Sequence, residues 1–158
     1  MSTVRPAAPR ARVWLWALLT AIVVLTIDQL AKLAVRESIA PGETRSLLPG
    51  VKLVDTRNRG IAFGLELGSH WLVTVLIALS LLVLLLYFAR NSARPLLWLS
   101  TGMLLGGALG NVLDRIRAGS VTDFVKLPLG WPPFNLADAA ITIGVLLLIL
   151  TIERHERA

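Results

Sequence analysis

Two aspartates stand on either side of a short, turn-rich segment in a chain that is otherwise strongly apolar. Asp123 lies in the motif V-T-D-F, and Asp138 ends the motif F-N-L-A-D. A carboxylate near hydrocarbon is costly, so its presence there usually indicates a function. When two carboxylates meet, one keeps a proton while the other stays ionised and can take a proton from an attacking water. Such a pair could hydrolyse a peptide bond without a metal, a cysteine or a histidine.

On spacing alone a second interpretation of Asp138 stays open. A carboxylate in the first turn of a helix stabilises the helix dipole, and Asp138 opens an apolar, helical stretch. Asp28 and Lys32 are four residues apart, so they lie on one helix face and can form an ion pair. A structural role is favoured over a catalytic one for this pair, because each charge compensates the other.

A third apolar stretch carries glycines at the spacing that lets helices approach closely, namely Gly102, Gly106, Gly107 and Gly110. Close packing there would hold the next turn, with Asn111, Asp114 and Arg115, against a neighbouring helix. Asn111 and Arg115 share a face, whereas Asp114 points in another direction. An arginine in this place can hydrogen-bond a carbonyl or a carboxylate, so Arg115 is expected to hold a loop or a substrate backbone.

The composition indicates a membrane protein of one domain. Of the 158 residues 55% are apolar, and the mean hydropathy is +0.70. The apolar runs predict an all-α membrane protein with four transmembrane helices, over residues 13–35, 71–89, 95–116 and 135–153. The first and last runs reach a spanning length only by including Asp28 and Asp138.

Turn signals describe the remaining segments. Residues 36–70 contain Pro-Gly and Asn-Arg-Gly sequences, which predict a small β element between helices 1 and 2. Residues 1–12 are rich in proline, alanine and arginine and are expected to be a disordered lead. The first apolar run is expected to be a retained span rather than a cleaved signal peptide, because no cleavage site follows it. Residues 117–134 are expected to be a loop.

Residues that the chain lacks exclude several chemistries. The absence of cysteine excludes a disulfide framework, a thiol nucleophile and thiolate metal ligands. The two histidines are far apart in sequence, so no metal and no other cofactor is expected. The net charge of +6 could suggest nucleic acid, but no basic run is present and membrane proteins collect arginine at helix ends. Membrane lipid, rather than nucleic acid, is the expected partner.

The alternation of four spans would gather the polar residues at one membrane face. That face carries Asp28, Lys32, Asn58, Asn111, Asp114, Arg115, Asp123, Asn135 and Asp138. Basic residues are denser on the opposite face, which carries both termini. The positive-inside rule therefore places the termini in the cytoplasm and the polar site outside.

Five motifs, in order along the chain, resemble those of the bacterial lipoprotein signal peptidases, also called signal peptidase II. Asp28–Lys32 resembles D-Q-x-x-K, and Asn58–Phe63 resembles N-x-G-x-A-F. Three more complete the series: Gly106–Arg115 for G-G-A-x-G-N-x-x-D-R, Val121–Phe124 for V-x-D-F, and Phe134–Asp138 for F-N-x-A-D. The departures are small, with Thr122 where an apolar residue is common and Arg59 at a variable position.

The resemblance implies an aspartic endopeptidase of the bacterial cell membrane, with four transmembrane helices and an extracytoplasmic β cradle. Its substrates would be prolipoproteins with a diacylglyceryl group on a cysteine, cleaved on the N-terminal side of that cysteine. By position, Asp123 and Asp138 match the catalytic pair. Supporting or substrate-binding positions would be Asn111, Arg115, Asn135, Asn58, Gly60, Asp28, Lys32 and Asp114. A monomer without a cofactor is expected.

Three other functions are weaker on the sequence. A proton-coupled transporter using Asp28 or Asp138 would need polar residues toward the bilayer midplane, but they gather at one face. For a noncatalytic scaffold the glycines of the third span would suffice, but the aspartates would be unexplained. A Ser–Lys protease could use Ser120 and Lys126, but nothing in the sequence orients that pair.

Overall fold

Four helices and three strands make up the part of the chain that a computed structural model describes, which is residues 10–40, 42–59 and 70–156. Their order is α1 (Arg10–Ser38), β1 (Thr44–Leu48), β2 (Val51–Asn58), α2 (His70–Asn91), α3 (Leu97–Ala118), β3 (Val121–Lys126) and α4 (Leu136–Glu156). The helices follow the four predicted spans to within a few residues. One correction concerns α1, which begins at Arg10 and so takes in the last residues of the predicted lead.

Three of the helices are long and apolar enough to cross a membrane, over Arg10–Ser38, Thr74–Asn91 and Leu136–Glu153. Large apolar side chains on them are exposed, whereas Asp28, Lys32 and Asp114 are buried. This distribution is the reverse of that in a water-soluble protein, and it fits a hydrocarbon environment. The remaining helix, α3, does not reach the same combination of length and apolar composition. Its polar last turns are shielded, because α1, α2 and α4 all pack against it.

Glycines bring α3 close to its two main neighbours. A Cβ atom at Gly106 would lie 2.6 Å from the carbonyl oxygen of Ala21 on α1, and one at Gly107 would lie 2.6 Å from that of Ala137 on α4. Only a residue without a Cβ fits such contacts, so the helix backbones touch. The polar turn after the glycines is thereby held between α1 and α4, as the glycine spacing predicts.

Replacing Gly106 tests this packing. Gly106→Val would place its side chain against backbone and against Val24, so we expect a loss of roughly 3 kcal/mol of stability. The measurement is the thermal unfolding midpoint of the purified protein in detergent. Leu109→Val is the matched control, because Leu109 is exposed on the same helix and should leave the midpoint nearly unchanged. Equal midpoints for the two variants would contradict the proposed close contact.

The sheet is antiparallel with strand order β1-β2-β3, and its third strand corrects two expectations. Residues 117–134 are not all loop, since they contain β3, and the sheet is not confined to the segment between helices 1 and 2. β3 pairs with β2, with Asn58 opposite Val121 and Thr56 opposite Asp123. The strand-forming residues of β3 are a local signal that the prediction of a loop did not use, whereas its partner β2 is too far away in sequence to be found from local patterns.

β3 lies across the ends of three helices. Gly119 directly follows α3, and its left-handed φ of 66° turns the chain into the strand. Phe124, in the middle of β3, packs against Val35 and Ile39 at the end of α1. Val125 then pairs with Phe134, two residues before α4 begins. The strand therefore runs along one end of the helix bundle, and it holds Asp123 there.

Candidate active site

Asp123 is fixed by amide donors on both of its carboxylate oxygens. Its Oδ2 accepts a hydrogen bond of 2.9 Å from Nδ2 of Asn58, and its Oδ1 accepts one of 2.7 Å from Nδ2 of Asn135. Asn58 ends β2, two residues beyond Thr56, so strand alternation puts it on the same face as the aspartate. The carboxylate is thus nearly buried in a defined orientation.

Asp138 is held by the start of α4 and by α3. It forms a reciprocal cap with Asn135: its Oδ2 accepts from the Asn135 backbone N–H at 3.2 Å, and its own N–H donates to Asn135 Oδ1 at 2.9 Å. Asn111 Nδ2 donates to its other oxygen at 2.8 Å. The helix-start interpretation of Asp138 and the paired-aspartate interpretation are therefore compatible, because the cap orients the same carboxylate.

Asn135 joins the two aspartates. The side-chain Nδ2 of Asn135 donates to Asp123. Its backbone N–H donates to Asp138, and its side-chain Oδ1 accepts from the backbone N–H of Asp138. The pKa of Asp123 is raised to about 6, chiefly by burial and with a smaller contribution from the negative charge of Asp138, while the Asn58 hydrogen bond lowers it. The carboxyl of Asp123 can therefore keep a proton at a pH where an ordinary aspartate is ionised.

A buried ion network lies behind the aspartates. Lys32 Nζ is 2.7 Å from Asp28 Oδ2, 3.2 Å from Asp114 Oδ2, and it donates to Asn111 Oδ1 at 3.0 Å. Asp28 in turn accepts from the backbone N–H of Ala137 at 2.9 Å. The expected Asp28–Lys32 pair is present, and it links α1 to α3 and to the first turn of α4. Asp28, Lys32 and Asp114 do not line the open site, and they orient the aspartates through Asn111 and the first turn of α4.

The reverse side of β3 is tied down by two arginines. Thr122 points away from Asp123, and its Oγ1 accepts from Arg36 Nε at 3.0 Å and from Arg57 Nη1 at 3.2 Å. Its backbone N–H donates to Asp114 Oδ2 at 3.1 Å, and Asp114 also pairs with Arg36. Thr122, which stands where an apolar residue is common in the family motif, therefore fixes the strand that carries Asp123.

Several site residues were missed or lie elsewhere than expected. Arg36, Arg57 and Gln29 were not singled out, although Arg36 follows Lys32 by four residues on the same helix face. Gln29 donates to Asp114 Oδ1 at 3.2 Å. Arg115 donates to the backbone oxygen of Asn111 at 3.2 Å and lines the site. The expected supporting residue Gly60 lies outside the described residues.

A long cleft of about 1490 Å³ leads away from the aspartates. Its polar end carries both carboxylates with Asn58, Asn111 and Arg115. Its remaining walls are mostly apolar side chains of α2, α3 and α4, and Trp131 with neighbouring prolines borders the entrance. A pair of carboxylates at the head of an apolar cleft suits a substrate that is itself apolar on one side of the reacting bond.

Comparison with known proteins gives the family. A family model described as signal peptidase (SPase) II matches residues 20–154. The chain belongs to the signal peptidase II family. The lipoprotein signal peptidase of Syntrophomonas wolfei is 45% identical over 141 residues, covering 86% of this chain and 94% of that protein. The enzyme of the same name from Halothermothrix orenii is 39% identical over 137 residues, with 86% and 94% covered.

Solved structures agree with signal peptidase II membership. A bacterial membrane enzyme solved by the in meso method at 2.3 Å resolution superposes with a TM-score of 0.82 at 28% identity, covering 87% of each chain. A second, at 1.9 Å resolution, gives 0.78 at 28% identity, covering 86% of this chain and 91% of the other. The family model and the named relatives confirm the enzyme class that the five motifs imply. The solved structures confirm the fold to the extent of a mostly helical membrane protein with a small sheet.

Proposed function

We propose that the protein removes signal peptides from diacylglyceryl-modified prolipoproteins, with Asp123 and Asp138 as the catalytic pair. The observation that carries this proposal is the convergence of both carboxylates on Asn135 at the head of the apolar cleft. Family membership supports the substrate class, since the relatives are named lipoprotein signal peptidases.

In the proposed reaction, one carboxyl of the pair is protonated and the other is ionised. The ionised group takes a proton from water as the oxygen attacks the scissile carbonyl, and the protonated group donates a hydrogen bond to the carbonyl oxygen. The C–N bond then breaks, and a proton passes to the departing amine of the cysteine. The signal peptide keeps the new carboxylate, so one water is consumed.

The cleft suggests how the substrate lies. A signal peptide is an apolar helix, and the walls from α2, α3 and α4 could hold it within the bilayer. The cysteine would then reach the aspartates at the membrane surface, with its acyl chains returning to the hydrocarbon. Every residue of the site comes from one chain, so we expect a monomer to be active.

The full topology is part of the same proposal. We infer that α3 is a fourth crossing, because it runs beside α1 from Gly102 near Ala17 to Asp114 near Arg36. Both termini would lie in the cytoplasm, and the sheet and the aspartates on the outer face of the cell membrane, as the distribution of basic residues favours.

Cleavage of a defined substrate tests the function. Purified protein in bilayers is mixed with a prolipoprotein that carries the diacylglyceryl group, and with the same chain lacking it. We expect the signal peptide to be released, as measured by mass spectrometry, from the modified substrate at least tenfold faster. Cleavage of neither substrate, or of both at one rate, would contradict the proposal.

The pH dependence of cleavage follows from the Asp123 pKa of about 6. Because the pair needs one proton, kcat/KM should fall as the pH rises through about 6 and that proton is lost. Asn58 stabilises the ionised form, so Asn58→Ala should raise the pKa of Asp123 further and move the fall upward by about one pH unit. Ser46→Ala, at an exposed position of the same sheet that does not line the cleft, is the control; a shift in both variants or in neither would count against this role.

A further inference from the structure

The hairpin end of the sheet and the connection to α4 expose four large apolar side chains, Leu47, Leu48, Leu129 and Trp131, of which only Trp131 also lines the cleft. The first two end β1, and the other two lie in the connection between β3 and α4. The two segments adjoin, because a Cβ atom at Gly50 in the hairpin turn would lie 3.9 Å from Pro128. We call this surface the sheet tip. A contiguous apolar surface of this kind marks an interaction site.

Leu129 shows that the exposure is built into the backbone. Its φ of 64° is in the left-handed region, which costs a leucine about 1 kcal/mol or more, and its side chain is fully exposed at 101%. The chain thus adopts an unfavourable backbone conformation to present an apolar side chain outward. Backbone strain of this kind clusters at functional sites such as ligand clamps.

Two lysines give the sheet tip its charge. Lys52 of β2 and Lys126 of β3 stand directly opposite each other, and both are exposed. Like charges at such a cross-strand position repel, so the pairing is destabilising unless an anion lies between them. Neither lysine forms an ion pair with a carboxylate within the described ranges 10–40, 42–59 and 70–156.

The course of β3 indicates what that anion belongs to. The strand follows the end of α3 at Val121 and is paired beside the start of α4 at Val125, so it runs along the end of the bundle rather than away from it. Lys126 is the next residue. The sheet tip therefore lies beside the end of the bundle, where lipid headgroups would surround helices that cross a membrane.

We propose that the sheet tip binds the lipid bilayer itself, with its apolar side chains in the interface and with Lys52 and Lys126 sharing the phosphate of an anionic phospholipid. This contact would hold β3 at its end away from Thr122 and steady the part of the cleft that Trp131 lines. Binding of the sheet tip to lipid does not depend on the proposed function, because it needs no prolipoprotein substrate.

A spin label on Leu129→Cys tests the proposal cleanly, because the chain has no other cysteine. The full protein is placed in bilayers of phosphatidylcholine alone or mixed with phosphatidylglycerol, and the label's accessibility to oxygen and to a soluble nickel chelate is compared. We expect the label to reach the lipid interface in the mixed bilayers. The amount of phosphatidylglycerol needed for half of this effect should rise about fivefold for each lysine removed, as in Lys52→Gln and Lys126→Gln.

Arg45→Gln is the matched control, because Arg45 is an exposed basic residue of the same sheet whose charge Glu43 already compensates at 2.6 Å. It should leave the lipid dependence unchanged. A label that stays in water in both bilayers would overturn the proposal. So would coupling between labels on two copies, which would assign the surface to a second chain, or an equal effect of inorganic phosphate in phosphatidylcholine.

Discussion

Asp123→Asn and Asp138→Asn are each expected to lower the rate of prolipoprotein cleavage by about 10³-fold or more, within the range that general acid–base groups contribute. An asparagine at position 123 can neither hold the shared proton nor become ionised. Its amide would also face the Nδ2 donors of Asn58 and Asn135, of which it can satisfy only one. The measurement is single-turnover release of the signal peptide with enzyme in excess.

Asp55→Asn is the matched control for the loss of a buried carboxylate. Asp55 is nearly buried on β2 and pairs with Arg57 at 3.2 Å, but it does not line the cleft. We expect this variant to keep cleavage within a few fold of the unmodified protein. If it lost as much activity as the two site variants, their losses would reflect general damage to the sheet.

Lys32→Met is expected to have the largest effect on stability. It would leave Asp28 and Asp114, both almost completely buried, without the cation that lies 2.7 and 3.2 Å from them. Removing one partner of a buried ion pair costs about 3–5 kcal/mol, because the remaining charge has lost its solvation and its partner. Asn111 Oδ1 would keep only the longer hydrogen bond from Asn135 Nδ2, at 3.2 Å, so Asn111 would be held less firmly against Asp138.

The unfolding midpoint in detergent measures this effect. Arg45→Gln provides the comparison, since it breaks an exposed pair that is worth at most about 1 kcal/mol. Lys32→Gln keeps a donor for Asn111, so its unfolding midpoint should lie between those of Lys32→Met and Arg45→Gln. A Lys32→Met protein as stable as Arg45→Gln would mean that the network behind the site does not hold the helices together.

Local patterns predicted the helices, because apolar runs and helical spacings are visible within a few turns of sequence. The Asp28–Lys32 pair and the close glycine contacts of α3 were predicted for the same reason. Family motifs, rather than spacing, directed attention to Asn135, and the structure shows that this residue contacts both aspartates.

Contacts between distant segments were not predictable in this way. β3 becomes a strand because β2 pairs with it. Val, Thr and Phe in V-T-D-F-V-K favour a strand, but this short run lies between turn-rich segments and was predicted as part of a loop. Helix geometry predicts that the side chains of Asp114 and Arg115 point in different directions. The contacts of Asp114 with Lys32, Arg36 and the N–H of Thr122 could not be predicted, because they form only when the helices pack together. Thr122 was noted only as a departure from the family motif, and its two arginine partners explain it.

The double variant Asp123→Asn/Asp138→Asn, compared with each single variant in single-turnover cleavage, tests the central claim most directly. If the two carboxylates act as one unit on one water, removing the second after the first should cost almost nothing further. We predict that the three rates agree within about threefold. Losses that multiply, or a single variant that keeps more than a tenth of the original rate, would contradict a shared aspartate mechanism.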